Sequence, residues 1–367
     1  MSSTKPTNGN SHGAPAFTSS PQPETRTEIS TLGEFGLIDR IAQAVQLVRP
    51  ETVKGIGDDA AVLDFSKTHP GHQVLVSTDL LAEGVHFDLR YTPLKHLGYK
   101  SVIVNLSDIA AMNGVPTHIV VGLGMSNRLS VEAVDELYAG MHIACQQYGV
   151  DLVGGDTTST RAGLVISITV MGTAAPDKIS YRSGAKPQEV ICVSGDLGAA
   201  YLGLQLLERE KSAFLAGGEA QPAFTEDHTY LLERQLRPEA RTDIVHELAG
   251  LGVVPTSMID ISDGLSSELL HICKQSNIGA AIYADKLPIE NPTRLIASEF
   301  GISPTTCALN GGEDYELLLT LTQADFEKVR KLDMLTAIGI TREAADGVLL
   351  VTGTGAVPLV AQGWVHG

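Results

Sequence analysis

Six aspartates lie beside glycines or at the ends of apolar runs: Asp59, Asp79, Asp108, Asp156, Asp260 and Asp263. Six carboxylates cannot crowd together in a folded protein unless cations or protons intervene. Mg²⁺ takes oxygen ligands, keeps some of its waters, and is commonly bound by carboxylates together with substrate phosphates. The pattern therefore points to a metal–polyphosphate site. Bare carboxylates repel an anionic nucleotide, and bridging metals reverse that sign. The formal net charge of −17 also has a plain reading, solubility. It argues against a nucleic-acid partner, which needs a basic footprint.

Each aspartate has its own local setting. In KGIGDDAAVL, Lys54 to Leu63, two glycines and two carboxylates precede a small apolar run, as in a loop feeding a buried strand. Asp58 and Asp59 point in opposite directions if extended, although an ordinary Asx turn reads equally well. Gln73 to Ser77 is a short strand ending in Ser77-Thr78-Asp79, so Asp79 is expected at a strand end. Glu83 to Phe87 is a loop or short strand. His86 within it, taken alone, is a satisfied surface histidine. Thr92 can cap a helix that starts at Pro93 and runs to about Met112. Asn105 and Asp108 share one face of it, at i and i+3. Asp108 sits among Leu106, Ile109 and Ala110 and needs a partner. That partner is a core hydrogen bond or, preferably, a metal or ligand.

Thr117 to Met125 is a strand, and Ser130 caps a second helix that stops at Gly149. Tyr138 lies beside the apolar stripe of that helix and reads as packing. Asp151 to Gly154 is a strand delivering Gly154-Gly155-Asp156-Thr157-Thr158. Those residues can cradle a phosphate or simply make a tight turn. Leu164 to Met171 is a further strand, and a domain boundary is placed between Ala174 and Lys178. Beyond it, Arg182 offers a cation for phosphate. The strand Val190 to Ser194 leads into a helix that follows Gly195 and reaches about Glu210, and Lys211 to Phe224 is a surface loop. The segments Leu231 to Leu236 and Arg241 to Ala249 are helical. The strand Ser257 to Ile261 runs into Asp260-Ile261-Ser262-Asp263, where Asp260 and Ser262 share a face and Asp263 opens the next helix. Asn310 to Glu316 precedes the strand Leu317 to Leu321, and Leu335 to Ile340 and Val348 to Val351 complete the sheet. Strands alternating with helices in both halves predict α/β or α+β domains.

With 367 residues, 43% of them hydrophobic, the chain is long enough for two domains. No apolar run approaches the ~18 residues of a membrane span, and no secretory signal is visible. Residues 1–32, rich at first in Ser, Thr, Pro, Gly and Asn, are expected to be a disordered extension. Cys145, Cys192, Cys273 and Cys307 lack metal-type spacing and suit buried thiols in a reducing cytoplasm. The chain has no GxxxxGK[ST] loop, no HRD and DFG pair and no HExxH. What remains is a phosphoryl transfer that needs only positioning and charge neutralisation, without a protein nucleophile.

GEFGLIDRI, GIGDDAAVL, STDLLAEGVHF, NLSDIAAM, VGGDTT, RSGAKP, LRPEAR, DISDGL and GGEDYEL occur in this order. Together, from Gly33 to Trp364, they closely resemble the thiamine-monophosphate kinases, within the superfamily that includes aminoimidazole ribonucleotide synthetase. The resemblance implies ATP-dependent phosphorylation of thiamine monophosphate to thiamine diphosphate, in thiamine diphosphate biosynthesis, by in-line transfer with several Mg²⁺ ions. It implies an N-terminal ATP- and metal-binding domain over 33–174 with a mixed sheet that pairs in a homodimer, and a C-terminal α/β domain over 175–367. It implies Asp59, Ser77, Thr78, Asp79, Asp108, Asp156, Asp260 and Asp263 as metal ligands. It implies Tyr138, Gly155, Asp156, Arg182 and Ser262 at the nucleotide, and His86, Glu313 and Trp364 at the thiamine side. The chain ends in GWVHG, where the family more often has an aromatic residue after the His. A synthetase of the aminoimidazole ribonucleotide type is the alternative reaction on the same fold. A non-enzymatic acidic ion binder lacks support, because no EF-hand spacing repeats.

Overall fold

The computed structural model describes residues 27, 31, 37, 40–54, 62–161, 163–217 and 224–362. Asp58, Asp59, Trp364 and nearly all of residues 1–32 lie outside them. Thr27 is an exception: its N–H donates to the Glu132 carboxylate, at 3.1 and 3.0 Å.

The N-terminal half contains a short antiparallel pair, β1 (Thr52–Lys54) with β2 (Val62–Leu63), and a four-stranded sheet. The sheet consists of β3 (Gln73–Ala82), β4 (Val115–Met125), β5 (Asp151–Ser159) and β6 (Val165–Ala174), in the order β3-β6-β4-β5. It is mixed, because β4 and β5 run parallel while the other pairs are antiparallel. Helix α1 (Leu94–Ala111) packs on it, and α2 (Val131–Tyr148) packs against α1. Ser130 caps α2 by accepting from the Ala133 N–H, and Gly149 ends it in the left-handed conformation, both as expected. The N-cap of α1 is Pro93, with no side-chain bond, so Thr92 does not act as the cap.

Strand β3 continues past Ser77 to Ala82, pairing residue by residue with β6, so Asp79 lies inside the strand and not at its end. Alternation then sorts its side chains. Leu75, Ser77, Asp79 and Leu81 are partly or fully buried, while Val74, Val76, Thr78 and Leu80 are exposed. The stretch Gly154 to Thr158 is also strand rather than turn. A Cβ at Gly155 would lie 2.0 Å from the Val121 carbonyl oxygen, so close strand approach accounts for that glycine.

The C-terminal half is a seven-stranded sheet of β7 (Val190–Ser194), β8 (Ser257–Asp260), β9 (Gly279–Tyr283), β10 (Leu317–Leu321), β11 (Leu335–Arg342), β12 (Val348–Thr352) and β13 (Gly355–Pro358). Its order is β13-β12-β9-β11-β7-β10-β8, with only β9 and β12 parallel. Around it lie α3 (Ala199–Leu215), α4 (Glu226–Leu236), α5 (Thr242–Gly250), α6 (Leu265–Ser276), α7 (Asn291–Glu299), α8 (Pro304–Asn310) and α9 (Gln323–Val329). Helix α3 runs about a turn beyond the expected stop at Glu210, into the segment expected to be loop.

The sheet strands are apolar on both faces because both are covered. Ile191, Val193 and Leu318 pack under α6 and α8. Val190, Cys192, Leu317 and Leu319 pack under α5, α9 and the end of α1, through Ala110 and Ala111. Helix α1 thus belongs to the cores of both halves, and 14 of its 18 residues are buried.

One buried charge network fixes the C-terminal half. The Glu316 carboxylate, 2% exposed, accepts from Arg234 Nη2 at 3.0 Å, from Arg241 Nη1 and from Ser194 Oγ. Removing one member of a buried ionic cluster leaves the others uncompensated. Glu316→Ala is expected to cost about 3–5 kcal/mol of unfolding free energy, read from urea denaturation. A loss below about 1 kcal/mol would mean the network is not holding the fold.

Candidate active site

A largely buried helix can present different polar residues to different neighbours, and α1 does so. Asn105 and Asp108 face β3: Asn105 Oδ1 accepts from the Asp79 N–H at 3.0 Å, and Asp108 Oδ2 accepts from Ser77 Oγ at 2.5 Å. Ser107 faces the other half, its Oγ donating to Asp260 Oδ2 at the end of β8 at 2.7 Å. Asp79, Asp108 and Asp260, far apart in sequence, are thereby drawn to one seam between the halves. A cavity of about 340 Å³ opens there. Its polar wall includes Ser77, Asp108, Arg182 and Asp260, and its apolar wall includes Ile109 and Met258.

The electrostatics are those of crowded carboxylates. Burial, and then the neighbouring Asp108, push Asp79 up to about 6. Burial first, then Asp108 and more weakly Asp79, push Asp260 up to about 7 against the opposing Ser107 bond. Asp108 is raised by burial, against the Ser77 bond and the Arg182 cation. These are all oxygen donors with excess negative charge, which suits Mg²⁺. Among the described residues, however, no three His, Cys, Asp or Glu side chains converge on one point as placed. Two carboxylate oxygens are turned toward Ser77 and Ser107.

The remaining expected residues fall into groups. Ser262 and Asp263 are exposed on the loop that follows Asp260, and the Asp263 N–H donates to Glu268 Oε1 at 3.1 Å. Helix α6 begins at Leu265, two residues after Asp263. Gly312 and Glu313 pack on the same loop: the Glu313 N–H donates to the Ser262 carbonyl at 2.7 Å. A Cβ at Gly312, φ +73°, would lie 2.5 Å from the Ser262 carbonyl oxygen. Thr78 lies on the outer face of β3, its hydroxyl donating to the Ile168 carbonyl at 3.0 Å, turned away from Ser77 and Asp79. Asp156 is exposed and accepts from its neighbour Thr157 N–H at 2.9 Å. His86 Nδ1 accepts from the Ala82 N–H at 3.1 Å, in the turn after β3. Tyr138 is buried in the N-terminal core and does not line the cavity. Asp59 and Trp364 lie outside the described residues.

Sequence reasoning passed over Ser107 and Glu268. Glu268 is buried near Asp263 and Asp260, and burial pushes it up to about 8. The available signal for Ser107 was its position beside Asp108 on a helix with no polar face.

A profile described as AIR synthase related protein, N-terminal domain, matches residues 57–174. The thiamine-monophosphate kinase of Aquifex aeolicus (strain VF5) is 34% identical over 338 residues, 92% of this chain and 99% of that one. The chain belongs to the thiamine-monophosphate kinase family. A solved structure of AaThiL complexed with AMPPCP and TMP aligns with TM-score 0.72 and 31% identity, covering 96% of this chain and 100% of that one. The thiamine-monophosphate kinase of Stenotrophomonas maltophilia K279a aligns with TM-score 0.73 and 34% identity, over 86% of this chain and 96% of that one. The mixed fold, with two sheets meeting along a seam, is therefore the fold of this kinase family.

The raised carboxylates make a signed prediction. An unfolded Asp titrates near about 3.9, whereas burial and the neighbouring Asp108 push Asp260 up to about 7 in the fold. Between those values the folded chain holds a proton that the unfolded chain releases, so stability falls as pH rises through this window. In the absence of divalent ions, Asp260→Asn is expected to be more stable than wild type at pH 8, by about 1–3 kcal/mol. The difference should vanish near pH 4. Thermal melts across that range check it, and a variant less stable than wild type at pH 8 would contradict the like-charge account.

Proposed function

We propose that this protein transfers the γ-phosphoryl group of ATP to thiamine monophosphate, forming thiamine diphosphate. The observation that carries the proposal is the meeting of Asp79, Asp108 and Asp260 at the seam between the halves, where Asp108 and Asp260 line one cavity, in a chain of this family. Such a transfer requires charge neutralisation and alignment of two anionic reactants, not a covalent intermediate on the protein. The residues that would hold Mg²⁺ are Asp79, Asp108 and Asp260, with Asp59, Asp263, Asp156, Ser77 and the Thr78 backbone completing the set. The metal would screen the phosphates and the charge that develops during transfer. Arg182, on the cavity wall, is suited to a phosphate oxygen. Ser262 and Gly155 complete the nucleotide side in this reading, and Tyr138, buried in the core of the N-terminal half, would act there only through packing. His86, Glu313 and Trp364 serve the thiamine side.

The same reading divides the chain into working domains at about residue 174 and places it in the cytoplasm as a homodimer. Val74, Val76 and Leu80 are 48%, 64% and 56% exposed on the outer face of β3. An exposed, largely apolar strand face of this kind, interrupted only by Thr78 along β3, favours a cover, and a second copy of the same face would supply one. No helix among the described residues is long and apolar enough to cross a membrane.

Incubation with ATP, MgCl₂ and thiamine monophosphate, with the product separated by chromatography, tests the reaction. Thiamine diphosphate is expected, and chelation of Mg²⁺ should abolish it. Asp79→Ala is expected to lower kcat by about 10²-fold or more without lowering the melting temperature. Folded, Mg²⁺-replete protein that makes no diphosphate would overturn the proposal. For the assembly, sedimentation should report a dimer, and Val76→Glu with Leu80→Glu should give monomers.

A further inference from the structure

Lys100 lies seven residues before Ser107, two turns away on the face of α1 that meets the C-terminal half. Its side chain is 8% exposed. Nζ donates to the Gln235 carbonyl at 2.9 Å, near the C-terminal end of α4, and lies 3.1 Å from Glu313 Oε1. The Gln235 side chain then donates from Nε2 to Glu313 Oε2 at 2.7 Å. Both oxygens of one carboxylate are thus held, by donors from two separate helices.

The carboxylate so held is not an ordinary surface group. Glu313 has φ +59° and Tyr315 has φ +51°, both in the left-handed region that non-glycine residues seldom occupy. Backbone held in this way collects at functional sites, where surrounding contacts over-determine it. The Glu313 N–H is bonded to Ser262, and its side chain remains 29% exposed. It therefore keeps an open edge beside the loop that follows Asp260. Tyr315, two residues on, is buried, and its N–H donates to the Ile261 carbonyl at 2.9 Å, so both strained residues are tied to the loop that follows Asp260. A buried ammonium is also an inefficient way merely to join two halves. Its desolvation cancels much of the gain, and apolar packing would serve as well.

We propose that Lys100 is a positioning residue for the phosphoryl acceptor. With Gln235 it fixes the direction of the Glu313 carboxylate, whose open edge then recognises a cationic, N–H-donating heterocycle. The inference rests on the reading of thiamine monophosphate as acceptor. The ammonium offers three donors on a compact head; Gln235 and Glu313 use two of them. A guanidinium in its place would restore the charge but not the geometry.

Steady-state kinetics with each substrate varied in turn tests the proposal on full-length wild type, Lys100→Met, Lys100→Arg, Gln235→Leu, Glu313→Gln and the Lys100→Met/Glu313→Gln double variant. Lys100→Met should raise KM for thiamine monophosphate about tenfold or more, equivalent to about 1.4 kcal/mol, and leave KM for ATP nearly unchanged. Lys100→Arg should recover part of the loss. In the Glu313→Gln background, Lys100→Met should add nothing further, the signature of two residues acting as one unit. Equal rises in both KM values, or additive effects in the double variant, would overturn the proposal and leave Lys100 a cohesive tie. If Lys100→Met does not fold, Gln235→Leu carries the same comparison. Wild type inactive on thiamine monophosphate would remove the acceptor reading itself. Active wild type with an unaffected Lys100→Met would remove only this inference.

Discussion

Like charges brought together out of water are the constraint on which this molecule depends. Asp108 raises the cost of ionising Asp79, and both raise that of Asp260, so any structure that gathers them must hold them by something other than mutual attraction. The chain uses neutral donors. Ser77 holds Asp108, Ser107 holds Asp260, and Asn105 holds the backbone of Asp79. A hydroxyl orients a carboxylate without cancelling its charge, whereas an arginine does both. These neutral donors therefore leave the carboxylate charge uncancelled.

The other buried carboxylates show the contrast. Glu316 is enclosed by Arg234 and Arg241, and Asp196 lies 3.6 Å from Arg234. These pairs hold α4, α5 and the start of β10 together and leave little charge for a ligand. Surroundings also differ within a few residues: Glu316 is closed in by two arginines, while Glu313, in the same GGEDYEL stretch, is held by Lys100 and Gln235 and keeps an open edge.

Much of this was legible in the sequence, and the limits are physical. Asp108 inside an apolar helix announced that it needed a partner, and Ser130 and Gly149 bounded α2 by cap chemistry that depends only on local residues. Glycine beside aspartate was less reliable. Gly155 reads as a phosphate turn in one dimension, but in the sheet it lets β5 approach β4 closely. The polar run Ser77-Thr78-Asp79 reads as the end of β3, whereas the strand's extension is set by pairing with β6, which no local pattern encodes. The roles of Ser107 and Lys100 were invisible for a related reason. A helix buried on every side has no polar face to read, and which neighbour each residue meets is decided by the two sheets it lies between.

That placement of α1 explains why neither half can form the site alone. The N-terminal sheet supplies Ser77 and Asp79, and the C-terminal sheet supplies Asp260. Only a helix belonging to both cores can address Asp79 and Asp260 within two turns. Ala110 and Ala111, at its end, are packed into the C-terminal core, so sliding of one half against the other would pull Ser107 from Asp260 and expose apolar surface at once. The spacing of the carboxylates is therefore fixed by the packing of hydrophobic residues around α1. The relative placement of Asp79, Asp108 and Asp260 is set by the core before any ligand arrives, and such preorganisation is what the alignment of two reactants draws on.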